Sequence, residues 1–308
     1  MSGAAAGPVA TITPEVIAFI PSDREYRWHT TEQEMTMPYF QSTDDTTLAY
    51  EVYGSGAPIV FLAGWSLNTD MWEHQVPYFV ERGYRCILLD RRGHGRSDRP
   101  ADGYDNDTRA DDVAALLEHL DIRDAVLIGH SGGGAEAVHY LARHGQDRIR
   151  RLVLVAAAVP KLSWSPDHPA GIPQAAIDAS IAALCADRAK WMADRAQGYF
   201  ATHLGNDVSP ALIDQEVRRC LSAAPWAAKT MQRAIGDSDL RPDLAEITLP
   251  VLLLHGLADQ SIPIGPTSHV AVQLLKDAEL KEYPAAGHGL YVTHAAQLNA
   301  DIAEFISA

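Results

Sequence analysis

The chain has 308 residues, 47% of them hydrophobic, enough for one large domain with an insertion or for two modest domains. Its formal net charge is −15, from 25 basic and 40 acidic residues, and such a surface repels polyanions, so nucleic acid is excluded as a partner. No stretch of eighteen apolar residues occurs, so no membrane span is expected.

Residues 1–37 read as an N-terminal extension. Met1 to Ile20 is small and apolar, but it lacks a basic leader region and carries Pro8 and Pro14, which makes a poor secretion signal. A short helix is expected to begin at Thr13-Pro14-Glu15, with proline at its first position. Pro21 to Thr36 is charged and irregular. The three cysteines, Cys86, Cys185 and Cys220, show neither C-x-x-C nor zinc-like spacing. A reducing, cytoplasmic setting is expected.

From Pro38 the pattern becomes regular. Pro38 to Thr43 and Thr47 to Tyr53 read as strands joined by a turn at Asp44-Asp45 and closed by Gly54-Ser55-Gly56. Unbroken apolar runs follow at Ile59 to Ala63, Cys86 to Leu89, Ala125 to Ile128, Leu152 to Ala157 and Val251 to Leu254. Runs without alternation suit parallel strands buried on both faces. Helical patterns separate them at Met71 to Arg82, Thr108 to Leu120 and Ser131 to His144. Glu279 to Tyr283 closes the sheet, and His294 to Ile306 is a final amphipathic helix. The expected fold is α/β: a mostly parallel, eight-stranded, doubly wound sheet.

Between Val159 and Leu249 the alternation stops. Four prolines (Pro160, Pro166, Pro169, Pro173) mark a loop, and helices are expected near 174–184, 187–202, 210–221 and 226–235. Residues 159–249 therefore read as a helical cap inserted after the sixth strand, with the core formed by 38–158 and 250–308.

Gly129-His130-Ser131-Gly132-Gly133 follows the fifth apolar run and opens a helix. Small neighbours allow the serine a strained turn that exposes its Oγ. A serine hydroxyl needs a base. Among thirteen histidines, His288 in Ala286-Gly287-His288-Gly289 is the best placed, on a glycine-flanked turn after the last strand. His130 is expected to project from the wrong side of the turn, His294 to be structural, and His94 and His255 to hold loop geometry. Asp259, in the segment after the seventh strand, is the expected acid that orients His288. The order Ser…Asp…His is that of α/β-hydrolases. Two backbone donors should form the oxyanion hole: the N–H of Gly132, and that of Trp65 in the loop Ala63-Gly64-Trp65-Ser66. Losing one such donor costs about 3 to 4 kcal/mol of transition-state stabilisation. Substrate contacts are expected from Trp65, Gly64, Val159, Trp191 and Trp226, in a largely apolar pocket beneath the cap. No metal or cofactor is required. Asp102, Asp105, Asp107, Asp111 and Asp112 lack the spacing of a calcium loop and read as a solvated surface.

With these residues in place, the chain resembles the serine-dependent α/β-hydrolases of the aryl esterase and cofactor-free haloperoxidase (perhydrolase) group. The resemblance runs from about Tyr39 to the C-terminus. It rests on Gly64-Trp65, Asp70 to Gln75, the segment Asp90-Arg91-Arg92-Gly93-His94-Gly95-Arg96-Ser97-Asp98, Arg143-His144-Gly145, Asp239 to Leu244, His255-Gly256, Asp259-Gln260, Gly287-His288-Gly289 and Val292-Thr293-His294. It implies esterase activity with Ser131, Asp259 and His288 as a triad. Two positions depart from the group. Ala63 stands where a histidine is usual, and Gly132 stands where methionine or another long side chain is common, which should leave a roomier acyl side. The expected substrate is a small-molecule ester or lactone of moderate bulk, and self-association into a homo-oligomer stays open. An aspartate nucleophile, as in haloalkane dehalogenases and epoxide hydrolases, is excluded by Ser131. Carbon–carbon bond hydrolases and hydroxynitrile lyases share the serine triad and are separated by product analysis, whereas a slow lactone receptor of the same fold is separated by its turnover rate.

Overall fold

The computed structural model describes residues 38–307, so the expectations for the extension 1–37 lie outside the described residues. Eight strands form one sheet: β1 (Tyr39–Gln41), β2 (Thr47–Tyr53), β3 (Pro58–Leu62), β4 (Arg85–Leu89), β5 (Ala125–His130), β6 (Ile149–Val155), β7 (Val251–Gly256) and β8 (Ala278–Tyr283). Their order is β1-β2-β4-β3-β5-β6-β7-β8. The β1–β2 and β2–β4 pairs are antiparallel, and all the others are parallel.

The apolar runs are continuous because both faces of the sheet are covered. Val60, Leu62, Leu127, Leu152 and Leu253 enter one core, and Ile59, Phe61, Val126, Val153 and Leu252 enter the other. The first core is completed by α2 (Asn106–His119) and α3 (Gly132–His144), together with short helices α8 (Arg241–Glu246) and α9 (Ser268–Leu274). The second is completed by α1 (Val76–Val80), α10 (Leu290–Thr293) and α11 (Ala295–Ser307). The expected helix over 71–82 is instead a 3-10 turn at Thr69–Trp72 and the five-residue α1, with Pro77 in its first turn. Proline there removes an N–H that a longer helix would use.

Between β6 and β7 the chain is helical: α4 (Gln174–Ala186), α5 (Arg188–Phe200), α6 (Pro210–Ser222), α7 (Pro225–Asp237), then α8. A 3-10 turn at Thr202–Leu204 follows α5, and the strand-like features of this stretch are isolated bridges such as Lys161–Asp239. Among the described residues, no helix is long and apolar enough to cross a membrane.

The acidic run does not form one solvated surface. Asp112 is buried, because it shares a helical stripe with Arg109, Val113 and Leu116. Arg92 donates to it through Nε and a terminal nitrogen, both at 2.7 Å. Asp105 caps α2, accepting from Thr108 N–H at 2.9 Å. Asp107 and Asp111 turn toward α3, where His139 bonds Asp243 through Nδ1 at 2.5 Å and Asp107 through Nε2 at 2.6 Å. Arg143 lies against both Asp107 and Asp111. A carboxylate at each ring nitrogen requires both to carry protons. The hydrogen bond to Asp243 raises the His139 pKa above its ordinary value, burial opposes it, and the bond to Asp107 adds to the rise.

That charged cross-link ties α2, α3 and α8 together, and its sign with pH follows. It is at full strength below the unfolded histidine pKa of about 6.5 and is lost as pH rises through the higher folded value. Replacing His139→Asn is expected to cost about 1–2 kcal/mol at pH 6 and much less at pH 9. Urea unfolding at the two pH values checks this, and an equal loss at both would remove the imidazolium account.

Candidate active site

Strand order reverses at β3: the chain leaves it for β4 on one side, while β5 lies on the other. Crevices outside the carboxyl ends of strands at such a switch point are where open α/β sheets place ligands. Leu62 pairs with Gly129 in that register, so the loop after β3 and the turn after β5 emerge side by side.

Ser131 occupies that turn with φ 53° and ψ −120°, the strained conformation expected from its small neighbours. Its backbone is fixed from both sides. Ser131 N–H donates to Val155 C=O at 3.0 Å, and its own C=O accepts from Gly134 and Ala158 N–H, each at 3.0 Å. The turn packs tightly enough that a Cβ on Gly133 would sit 2.4 Å from the Leu62 carbonyl oxygen. Only glycine permits that approach.

The loop after β7 carries Asp259, and the loop after β8 carries His288. His288 Nδ1 lies 2.7 Å from Asp259 Oδ2, with both side chains buried. The other carboxylate oxygen accepts from the backbone N–H of Ser261 and Ile262, each at 2.8 Å. Burial pushes the Asp259 carboxyl up, but His288 and His255 together hold it well below the usual carboxylate range. His255 does more than shape its loop. Its Nε2 faces Ile262 C=O at 2.8 Å and Asp259 Oδ2 at 3.3 Å, so that nitrogen carries the proton. Its Nδ1 lies 2.7 Å from Ser268 Oγ.

His130, the residue before Ser131, packs against His288. Its ring centroid lies 4.6 Å from that of His288, and its Nε2 donates to His288 C=O at 3.1 Å. Burial, reinforced by the neighbouring His288, holds the His130 pKa well below the ordinary value, so the ring is neutral and supports the His288 backbone. Alternation along β5 puts the side chain on the same face as Val126 and Ile128, where its ring meets Tyr291 at 5.0 Å.

Ser131, His130 and His288 line one cavity of about 600 Å³, shared with Gly64, Trp65 and Trp191. The Trp65 main-chain nitrogen lies 3.6 Å from where a Cβ on Gly132 would be, so the loop after β3 runs beside the residue that follows Ser131. The Trp65 indole N–H donates to Ala228 C=O at 2.8 Å, and its ring meets Trp191 edge-on at 5.6 Å.

Three expectations are corrected. Trp226 does not line the cavity; it is 53% exposed, and its indole N–H donates to Ala101 C=O at 2.6 Å. Helical spacing explains this, since Ala227, Ala228, Met231 and Ile235 form the buried stripe of α7 and Trp226 falls outside it. Val159 is also absent from the cavity, being buried in the core that includes Leu240 and Leu244. The space over Gly132 is not vacant either. A Cβ there would meet Ile235 Cδ1 at 2.7 Å and Met231 Cε at 3.2 Å, so two α7 side chains fill the room that a longer residue would take.

Comparison with known proteins agrees with this architecture. Residues 57–295 match the alpha/beta hydrolase fold family. A non-heme haloperoxidase of Rhodococcus erythropolis is 38% identical over 274 residues, covering 88% of this chain and 100% of the relative. A bifunctional esterase/perhydrolase of Acinetobacter calcoaceticus is 34% identical, covering 88% and 99%. The solved structure of an esterase from Exiguobacterium antarcticum superposes with a TM-score of 0.84 at 30% identity, covering 88% of this chain and 99% of that one. On this match and this sheet, the chain belongs to the alpha/beta hydrolase family.

Proposed function

We propose that the protein is a serine hydrolase that cleaves carboxylic esters or lactones with a moderately bulky, apolar body, through an acyl-enzyme on Ser131. The observation that carries this reading is a buried Asp259–His288 pair at 2.7 Å opening into the same cavity as a serine held at φ 53°. Asp259 accepts from His288 Nδ1–H, which leaves Nε2 unprotonated and able to take the proton of Ser131 Oγ. The alkoxide adds to the substrate carbonyl, and the new oxyanion is met by the N–H groups of Trp65 and Gly132. Collapse expels the alcohol with the proton returned by His288, and water then repeats the sequence on the acyl-enzyme.

Residues 159–249 serve as a cap in this reading, and they bring Ile177, Trp191, Met192 and Ile235 to a cavity that Trp65 and Leu67 also line. Such a lining favours neutral, apolar substrates. The esterase named among the structural neighbours, and the esterase/perhydrolase named among the relatives, support ester chemistry. Cys86, Cys185 and Cys220 are all free thiols, which suits a reducing, cytoplasmic setting.

Two measurements test the proposal. A fluorophosphonate probe is expected to add its phosphonyl mass to the peptide containing Ser131 and to no other. A graded panel of aryl esters, alkyl esters and lactones is expected to release acid plus alcohol, or the ring-opened hydroxy acid. Labelling elsewhere, or products of carbon–carbon cleavage, would replace this reading.

A further inference from the structure

Behind the loop that follows β3 lies a buried ion pair that the proposed mechanism does not use. Arg91, in the loop after β4, is 3% exposed in its side chain, and its partner Glu136, on α3, is fully buried. Arg91 Nε and one terminal nitrogen donate to the same Glu136 oxygen, at 3.1 and 2.9 Å. Two further N–H groups go to backbone. One terminal nitrogen donates to Gly64 C=O at 2.8 Å, and the other also donates to Ala63 C=O. A single planar guanidinium thus grips two consecutive carbonyls of the loop that carries Trp65.

Gly64 C=O and Trp65 N–H belong to the same peptide unit. That unit is planar and trans, so its carbonyl and its N–H point in opposite directions. Whatever fixes the Gly64 oxygen therefore fixes the direction of the Trp65 N–H. Leu67 N–H also donates to Gly64 C=O, at a longer 3.2 Å, but only Arg91 brings a charge. A cationic donor on the carbonyl side polarises the amide and strengthens its N–H as a donor. Burying this pair is expensive, and it is weak evidence for stability. Glu136 sits on the helix that Ser131 begins, so the pair also locks the Trp65 loop to the nucleophile's own helix.

We infer that Arg91, held by Glu136, is a positioning residue that aims and polarises the Trp65 N–H toward the transition-state oxyanion. The inference rests on the serine-hydrolase reading above. Arg91 touches no substrate and acts only through the Gly64–Trp65 peptide. Lysine cannot replace it, because an ammonium group lacks the planar fork needed to span two carbonyls and a carboxylate.

The test uses the full chain, p-nitrophenyl acetate as substrate and an aryl trifluoromethyl ketone as probe. The ketone adds to a serine Oγ and places an oxyanion where the transition state would. One variant is Arg91→Lys; the other is the double Arg91→Met with Glu136→Met, which removes both charges and leaves neither unpaired. Losing a whole oxyanion donor costs roughly 10²- to 10³-fold in kcat, so misaiming one is expected to cost about 10- to 100-fold. KM should change little, and the ketone's inhibition constant should rise by the same factor as kcat/KM falls. If the double variant does not fold, the lysine variant alone decides. A folded variant with kcat/KM within twofold of the parent overturns the inference, and so does a kcat loss without weaker ketone binding. Ser131→Ala run alongside separates the two levels. If it retains turnover, the serine reading itself fails; if it is inactive while the Arg91 variants keep full rate, only the positioning role fails.

Discussion

Replacing Ser131→Ala is expected to lower kcat on a p-nitrophenyl ester by at least about 10⁴-fold, with the melting temperature almost unchanged. Both halves of the expectation follow from the turn. Alanine keeps the Cβ, so the strain at φ 53° is the same before and after the change. The serine side chain makes no capping bond to α3, so the helix loses no cap when the oxygen is removed. The proposed chemistry loses its nucleophile. The two N–H donors and the apolar cavity persist, so a residual acceleration of roughly 10³ over water is expected, not zero activity. Steady-state rates and a thermal melt on the same preparation measure both. A kcat within tenfold of the parent, in a folded variant, would end the serine mechanism.

Much of the fold was legible because burial on both faces leaves an unmistakable trace. Within their strands, the runs at Ile59, Cys86, Ala125, Leu152 and Val251 alternate between two cores residue by residue, so every position is apolar. The helices between β6 and β7 were legible for the complementary reason, a long stretch without such a run. Short elements were not. Helix α9 spans seven residues, too few for a helical period to stand out. Pro77 explains why the helix expected over 71–82 shrank to five residues.

The candidate site divides in the same way. Ser131, Asp259 and His288 each follow a strand that the sequence reveals, and each sits among glycines or turn formers. The residues that support them have no such mark. His130 meets His288 across 158 positions, and Arg91 meets Glu136 across 45. Nothing local to either segment encodes the partner. Aromatic composition misled in one case: Trp226 looked like a pocket residue, yet its phase on α7 turns it outward. A count of the helical period from Met231 and Ile235 would have shown this. Gly132 shows the converse limit, since its missing side chain is replaced by tips from a helix about a hundred residues downstream.

Replacing Asp259→Asn is expected to lower kcat by about 10⁴-fold through the tautomer of His288. The amide oxygen has one acceptable orientation. It must face the Ser261 and Ile262 N–H groups, because turning the amide over would set donors against donors. The amide nitrogen then faces His288 Nδ1, which must give up its proton and accept. The proton moves to Nε2, the nitrogen that has to be bare to activate Ser131. Stability should hold. His255 loses its 3.3 Å contact with the carboxylate but keeps Ile262 C=O as acceptor at 2.8 Å and Ser268 Oγ as a partner at 2.7 Å, so neither ring nitrogen is orphaned. Asparagine is also nearly isosteric with aspartate. The two readouts therefore separate, with kcat collapsing while the melt stays close to the parent. If the melt falls with the rate, Asp259 is holding the loop together. If neither moves, the acid that orients His288 lies elsewhere.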